Sequence, residues 1–167
     1  MVTPFAGQMI SNAKIRTAAE TIMSGLQLAR SSAVGLNAKV QFVLPTGTDS
    51  SWAVGCVPAA VTSLCPSIIQ SRSAAEGTSQ AVVAANITTV VFNGFGALTP
   101  ATIASFTAPA TSANICVGIA GMTASAVSSF AACSTPTERR LWVSVGASGS
   151  VRLCDPALSQ PDPQACT

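Results

Sequence analysis

The 167-residue chain contains no histidine, and only 8% of its residues are charged, against roughly a quarter in an ordinary soluble domain. Without histidine a serine nucleophile has no usual base, and Lys14 and Lys39, by or before the first strand, offer no substitute. Zinc sites need histidine or closely spaced cysteine pairs, and no Cys-x-x-Cys occurs. The six acids, Glu20, Asp49, Glu76, Glu138, Asp155 and Asp162, are scattered without a paired-carboxylate signature. These absences argue against an enzyme and give no reason to expect a cofactor or a metal. No stretch reaches eighteen consecutive apolar residues, so nothing in the sequence is written to cross a bilayer. A net charge of +2 exerts no strong overall pull toward nucleic acid or anionic membrane.

What the chain does have is six cysteines: Cys56, Cys65, Cys116, Cys133, Cys154 and Cys166. An even set without metal-ligand spacing points to disulfides formed in an oxidising compartment. Neighbours in sequence fall into three couples around short Pro- or Ser-containing segments. The spacing therefore favours Cys56 with Cys65, Cys116 with Cys133, and Cys154 with Cys166, each closing a loop worth about 2–4 kcal/mol in the chain-entropy model. An exported protein needs a targeting segment, and Met1-Val2-Thr3-Pro4-Phe5 holds neither a charged n-region nor an apolar h-region. The expectation is an upstream segment ahead of Pro4.

The length suits one domain over 1–167. It divides into a helix (1–36), a β-sheet region (37–154) and a disulfide-held tail (155–167). Between Ile10 and Val34, the residues Ile15, Ala19, Ile22, Leu26, Ala29 and Ala33 recur at steps of four and three, forming one apolar stripe. Arg16 and Glu20 lie off it at the i,i+4 spacing of an exposed face, and Gly35 with Asn37 supplies a left-handed stop. With no second helix in the pattern, the stripe must pack on a sheet, which makes the chain α+β.

After the helix, Ala38 to Leu44 and Trp52 to Val57 read as a hairpin around Pro45-Thr46-Gly47. Arg72 to Gln80 is polar and is expected to be a mobile loop. Val82 to Phe92 suits one or two strands, stopped by Asn93-Gly94-Phe95-Gly96. Thr102 to Thr107 and Ile115 to Gly118 are further strand candidates, and Cys116 with Cys133 is expected to enclose a small hairpin. Arg139 to Val145 and Ser150 to Cys154 form the clearest hairpin, through Gly146-Ala147-Ser148-Gly149.

On that hairpin Leu141, Val143, Val145, Val151 and Leu153 share one face, and Arg140, Trp142, Ser144 and Arg152 the other. Arg139, Arg140, Trp142 and Arg152 then have two readings. One is a solvated strand face with Arg stacked on Trp, worth about 0.5–1 kcal/mol. The other is a small platform, with Arg on phosphates and Trp on an unpaired base. Gly94-Phe95-Gly96 starts like a dinucleotide fingerprint, but Thr99 stands where the third glycine belongs, so it reads as a turn. Asn86-Ile87-Thr88 matches a glycosylation acceptor by spacing alone.

Three stretches resemble the GspH/FimT family of type IV pilin-like proteins, which comprises minor pilins of type IV pili and minor pseudopilins of type II secretion. Asn12 to Val43 is similar to the second helical half, with Ala29-Arg30-Ser31 near its end. Val91 to Leu98 is similar to a central Phe-x-x-x-Gly element, and Arg139 to Cys154 to the C-terminal hairpin. The resemblance implies a pilin-like fold, with one long N-terminal helix on antiparallel sheet. It implies an upstream prepilin cleavage site, with methylation, and an apolar half-helix in the inner membrane ahead of a periplasmic domain. Its partners would be major and minor pilins in a pilus or pseudopilus filament. Some members carry a Gly-Arg-x-Arg motif implicated in DNA uptake. In Gly149-Ser150-Val151-Arg152 only the final Arg of that motif's arginines is matched.

Overall fold

The computed structural model describes residues 4–99, 112–119, 133 and 139–166. One helix, α1, occupies Pro4–Leu36, so the periodic stretch extends upstream to a proline whose missing N–H costs nothing in a first turn. It stops at Asn37, which adopts φ 46°. The Ala38 N–H donates to the Ala33 carbonyl and the Asn37 N–H to the Val34 carbonyl. This is the paired closure of a Schellman cap, with Asn in place of the usual Gly.

The strands are β1 (Val40–Val43), β2 (Trp52–Cys56), β3 (Gln70–Arg72), β4 (Ala81–Ala85), β5 (Thr89–Phe92), β6 (Ala113–Ile119), β7 (Leu141–Val145) and β8 (Val151–Cys154). They build two four-stranded sheets, ordered β3-β2-β1-β5 and β4-β6-β7-β8, with every pairing antiparallel. The run from Val82 to Phe92 is thus two strands in different sheets. Between them Ile87 is buried, and the Asn86 amide donates to the Ser112 carbonyl while accepting from the Asn114 N–H. The strand expected over Thr102 to Thr107, and the interior of the hairpin expected between Cys116 and Cys133, lie outside the described residues.

The stretch Arg72 to Gln80 is a run of turns after its first residue, anchored to the fold at two points. Arg72 ends β3, which pairs with β2. Thr78 is buried, and its hydroxyl accepts a hydrogen bond from Ser50 at 2.8 Å. The buried pair Ser50 and Thr78 thus satisfies itself inside the fold, while most of the stretch faces solvent.

All six stripe residues of α1 are buried, and the helix lies across both sheets. At Gly25 a Cβ would stand 2.9 Å from the Phe42 ring and 3.0 Å from that of Trp52, so a side chain there would separate helix from sheet. Phe42 and Trp52 stack with centroids 6.0 Å apart. Burying rings such as Phe42 and Phe92 contributes roughly 1.5–3 kcal/mol each. The sheets meet through backbone: the Val83 N–H donates to the Thr48 carbonyl and the Leu98 N–H to the Ala147 carbonyl.

Disulfides join Cys56 to Cys65, Cys116 to Cys133, and Cys154 to Cys166, the couples favoured by spacing. The tail returns to β8, where the Asp155 N–H donates to the Gln164 carbonyl and Asp155 pairs in parallel with Ala165.

Candidate functional site

The three stretches singled out in the sequence converge at one place. Arg30, on the last turns of α1, donates through Nε to the Gly96 carbonyl at 3.1 Å. Gly96 has φ 75° and Gly149 φ 79°. A Cβ on Gly149 would overlap the Gly96 carbonyl oxygen and lie 3.1 Å from Arg30 Nε. The helix end, the turn after β5 and the β7–β8 turn are therefore locked together by one guanidinium and two left-handed glycines. Phe95, between these contacts, is 91% exposed. Asn93 shapes its turn by accepting from the Phe95 and Ala97 N–H groups.

Beside this junction runs a groove of about 620 Å³ lined by Gln27, Arg30, Ser31, Val34, Gly35, Ser150 and Val151. A smaller cavity of about 70 Å³ lies further along β8, between Arg16, Arg139, Leu153 and Gln164. Neither lining contains a serine–base pair or two facing carboxylates. Among the described residues no group of three or more His, Cys, Asp or Glu side chains could hold a metal ion.

The hairpin candidates are placed as follows. Trp142 is only 6% exposed, and it packs with Ala84, Cys116 and Cys133 in a small second core. Its face of the sheet is covered by a disulfide, so the ring is not presented to a stacking base. Arg139 forms an ion pair with Asp155 at 2.9 Å, the carboxylate side chain being 4% exposed and the arginine 45%. That carboxylate also accepts the Ala157 N–H, so Arg139 is committed to holding the tail. Arg140 is half-buried, and Arg152 is exposed, opposite Ser144. The four residues thus do not form one open face. Asn86 spends its amide on the link between β4 and β6.

One acid departs from ordinary behaviour. Burial alone would raise the Asp49 carboxyl, but hydrogen bonds from the Ser51 N–H, the Ser51 hydroxyl and Thr46 outweigh it and hold the pKa below 3.8. Sequence reading missed Arg30 as a keystone. Its signal was the isolated Arg between Ala29 and Ser31 at a helix end, uninterpretable without knowing which carbonyl it faces.

The assembled features, a small-residue helix across two antiparallel sheets with a disulfide-held hairpin and tail, define a pilin-like α+β fold. The chain belongs to the GspH family, described as "Type II transport protein GspH", whose model matches residues 18–123. Its structure is similar to the type IV minor pilin FimU of Pseudomonas aeruginosa in two crystal forms. One superposes with a TM-score of 0.58 at 17% identity, covering 93% of this chain and 97% of that one. The other gives 0.54 at 17% identity, covering 91% and 99%. At such identity the likeness concerns the fold. No curated protein sequence matches significantly. Family and fold are those of structural pilins, and membership implies a periplasmic or pilus-associated protein. Among the described residues no helix is long and apolar enough to cross a membrane.

Proposed function

We propose that this chain is a structural minor pilin, the globular head of a subunit that takes part in assembling or initiating a type IV pilus. The observation that carries the reading is the mismatch between α1 and what covers it. From Ile15 onward the helix stripe is buried on the sheets, whereas Met9 and Ile10 are 65% and 58% exposed. An apolar helix end projecting past its own sheets suits packing against helices of neighbouring pilins, with an upstream segment anchoring the subunit in the inner membrane before filament entry. Family and fold support the role. The same features suit a minor pseudopilin of a type II secretion system, since a filament subunit needs the same projecting helix in either machine. The domain acts as one unit over its length and carries out no catalysis.

Capture of DNA through the hairpin is the weaker reading, because the Trp142 ring is covered and Arg139 is tied to Asp155. The deciding experiment places a photo-crosslinking residue at Met9 or Ile10 in the full gene product, expressed in a piliated host. Adducts with other pilins in sheared filaments are expected. A protein that never enters filaments and cross-links to no pilin would remove the proposal.

A further inference from the structure

Among the described residues the outer edge of β8 is half filled. In an antiparallel ladder, backbone groups alternate between facing the partner strand and facing away. The Gly146 N–H donates to the Ser150 carbonyl, and Ser144 pairs with Arg152 and Trp142 with Cys154. The groups of Val151, Leu153 and Asp155 therefore face away from β7. At Asp155 this outward N–H is taken by the Gln164 carbonyl, in a parallel contact with Ala165. Continued in that register, the chain's own tail would set Pro163 beside Leu153 and Pro161 beside Val151. Proline has no N–H to give a ladder. The tail instead turns away, with the Asp162 N–H donating to the Ser159 carbonyl, and among the described residues no backbone group pairs with the outward groups of Val151 and Leu153.

The lane lies between α1 and the sheet. Its upper end is the groove formed by Arg30, Val34, Ser150 and Val151, and its lower end the small cavity at Leu153. Val151 and Leu153 pack toward the helix, while Arg152 stands exposed on the opposite face. Among the described residues Arg30 and Arg152 have no ion-pair partner and no acid lines the groove. A second copy of this chain pairing edge to edge would bring two Arg152 side chains together on one face, which like-charge repulsion disfavours.

We infer that this edge takes up an extended segment of a different protein, a short strand alternating apolar and acidic residues. Its apolar side chains lie under α1 beside Val34 and Val151, its carboxylate meets Arg152, and its backbone pairs with Val151 and Leu153. The inference stands on edge geometry and charge, and does not depend on the filament role.

The test uses two blocked, labelled hexapeptides, one alternating Val with Glu and the other Val with Lys, titrated by fluorescence anisotropy into the oxidised protein. The Glu peptide is expected to bind at least about tenfold tighter, and to slow hydrogen exchange at the amides of Val151 and Leu153. Arg152→Glu should reverse the preference. Val151→Pro, at an outward N–H, should abolish binding of both peptides while near-ultraviolet circular dichroism stays native. If Val151→Pro is misfolded, the Arg152→Glu reversal and the exchange protection decide alone. Equal binding of both peptides, no binding even at millimolar peptide, or self-association through this edge would overturn the inference. Failure to bind would show an edge blunted by Arg152 and the prolines only, and would leave the minor-pilin proposal untouched.

Discussion

Replacing Gly149 by alanine tests whether the junction of α1 with the two turns is a true lock. Gly149 adopts φ 79°, a conformation that costs an L residue roughly 1–2 kcal/mol. Its Cβ would also enter the space of the Gly96 carbonyl oxygen, the acceptor of the Arg30 hydrogen bond. Relieving that overlap means moving one turn, at a further cost of about 1–3 kcal/mol typical of overpacking, so a total loss of roughly 2–5 kcal/mol is expected. Two other glycines calibrate the scale. Gly77 has φ 97° and nothing within 4 Å of where a methyl would stand, so Gly77→Ala isolates the backbone strain at about 1–2 kcal/mol. Gly35 is helical with open space around it, and Gly35→Ala should stabilise by about 0.5–1 kcal/mol. Urea denaturation of the oxidised proteins, compared at equal slope, reads all three. If Gly149→Ala costs no more than Gly77→Ala, the turns do not bear on each other and the lock is refuted.

Three further outcomes are expected. Because the folded pKa of Asp49 is lowered, its contribution is fully present above its ordinary value of 3.8 and is lost as pH falls through the lower folded value. The stability gap between parent and Asp49→Asn should therefore be constant at neutral pH and close below about pH 4, and a gap that widens with acid would contradict this. Arg139→Ala should cost about 1–3 kcal/mol by leaving the buried Asp155 carboxylate without its cation, with faster proteolysis of the tail in reducing buffer as a second readout. Duplex DNA titrated at several salt concentrations should give a log–log slope no steeper than about −2, with Arg152→Ala changing affinity less than about twofold. A slope near −3 with a tenfold loss in the variant would restore the hairpin as a DNA contact.

Much of the architecture was legible because it is carried by local periodicity. The α1 stripe, the Asn37 stop, the β1–β2 and β7–β8 hairpins and the cysteine couples each depend on residues close in sequence. What stayed hidden depends on partners far apart. Val82 and Val91 look alike in sequence, yet β4 and β5 serve different sheets, and Asn86 between them bonds to Ser112 and Asn114, partners no local pattern reveals. Trp142 was correctly assigned to the face opposite Val143, but that face is itself covered by Ala84 and the Cys116–Cys133 bridge. Alternation says which residues share a side; it does not say whether water is on it. Arg30 and Gly149 mattered through contacts with Gly96 that no spacing rule encodes.

The cysteine connectivity has a consequence for how the protein is made. The bridges span separations of 9, 17 and 12 residues, and each joins a cysteine to the next one along the chain. A polypeptide emerging N-terminus first into an oxidising compartment, and crosslinked in order of arrival, reaches the native pattern without ever needing to exchange a bond. An oxidant acting on the translocating chain is enough, and an isomerase that reshuffles non-consecutive pairs has nothing to correct. Since no bridge ties α1 to a sheet or one sheet to the other, crosslinking can be complete before the helix docks.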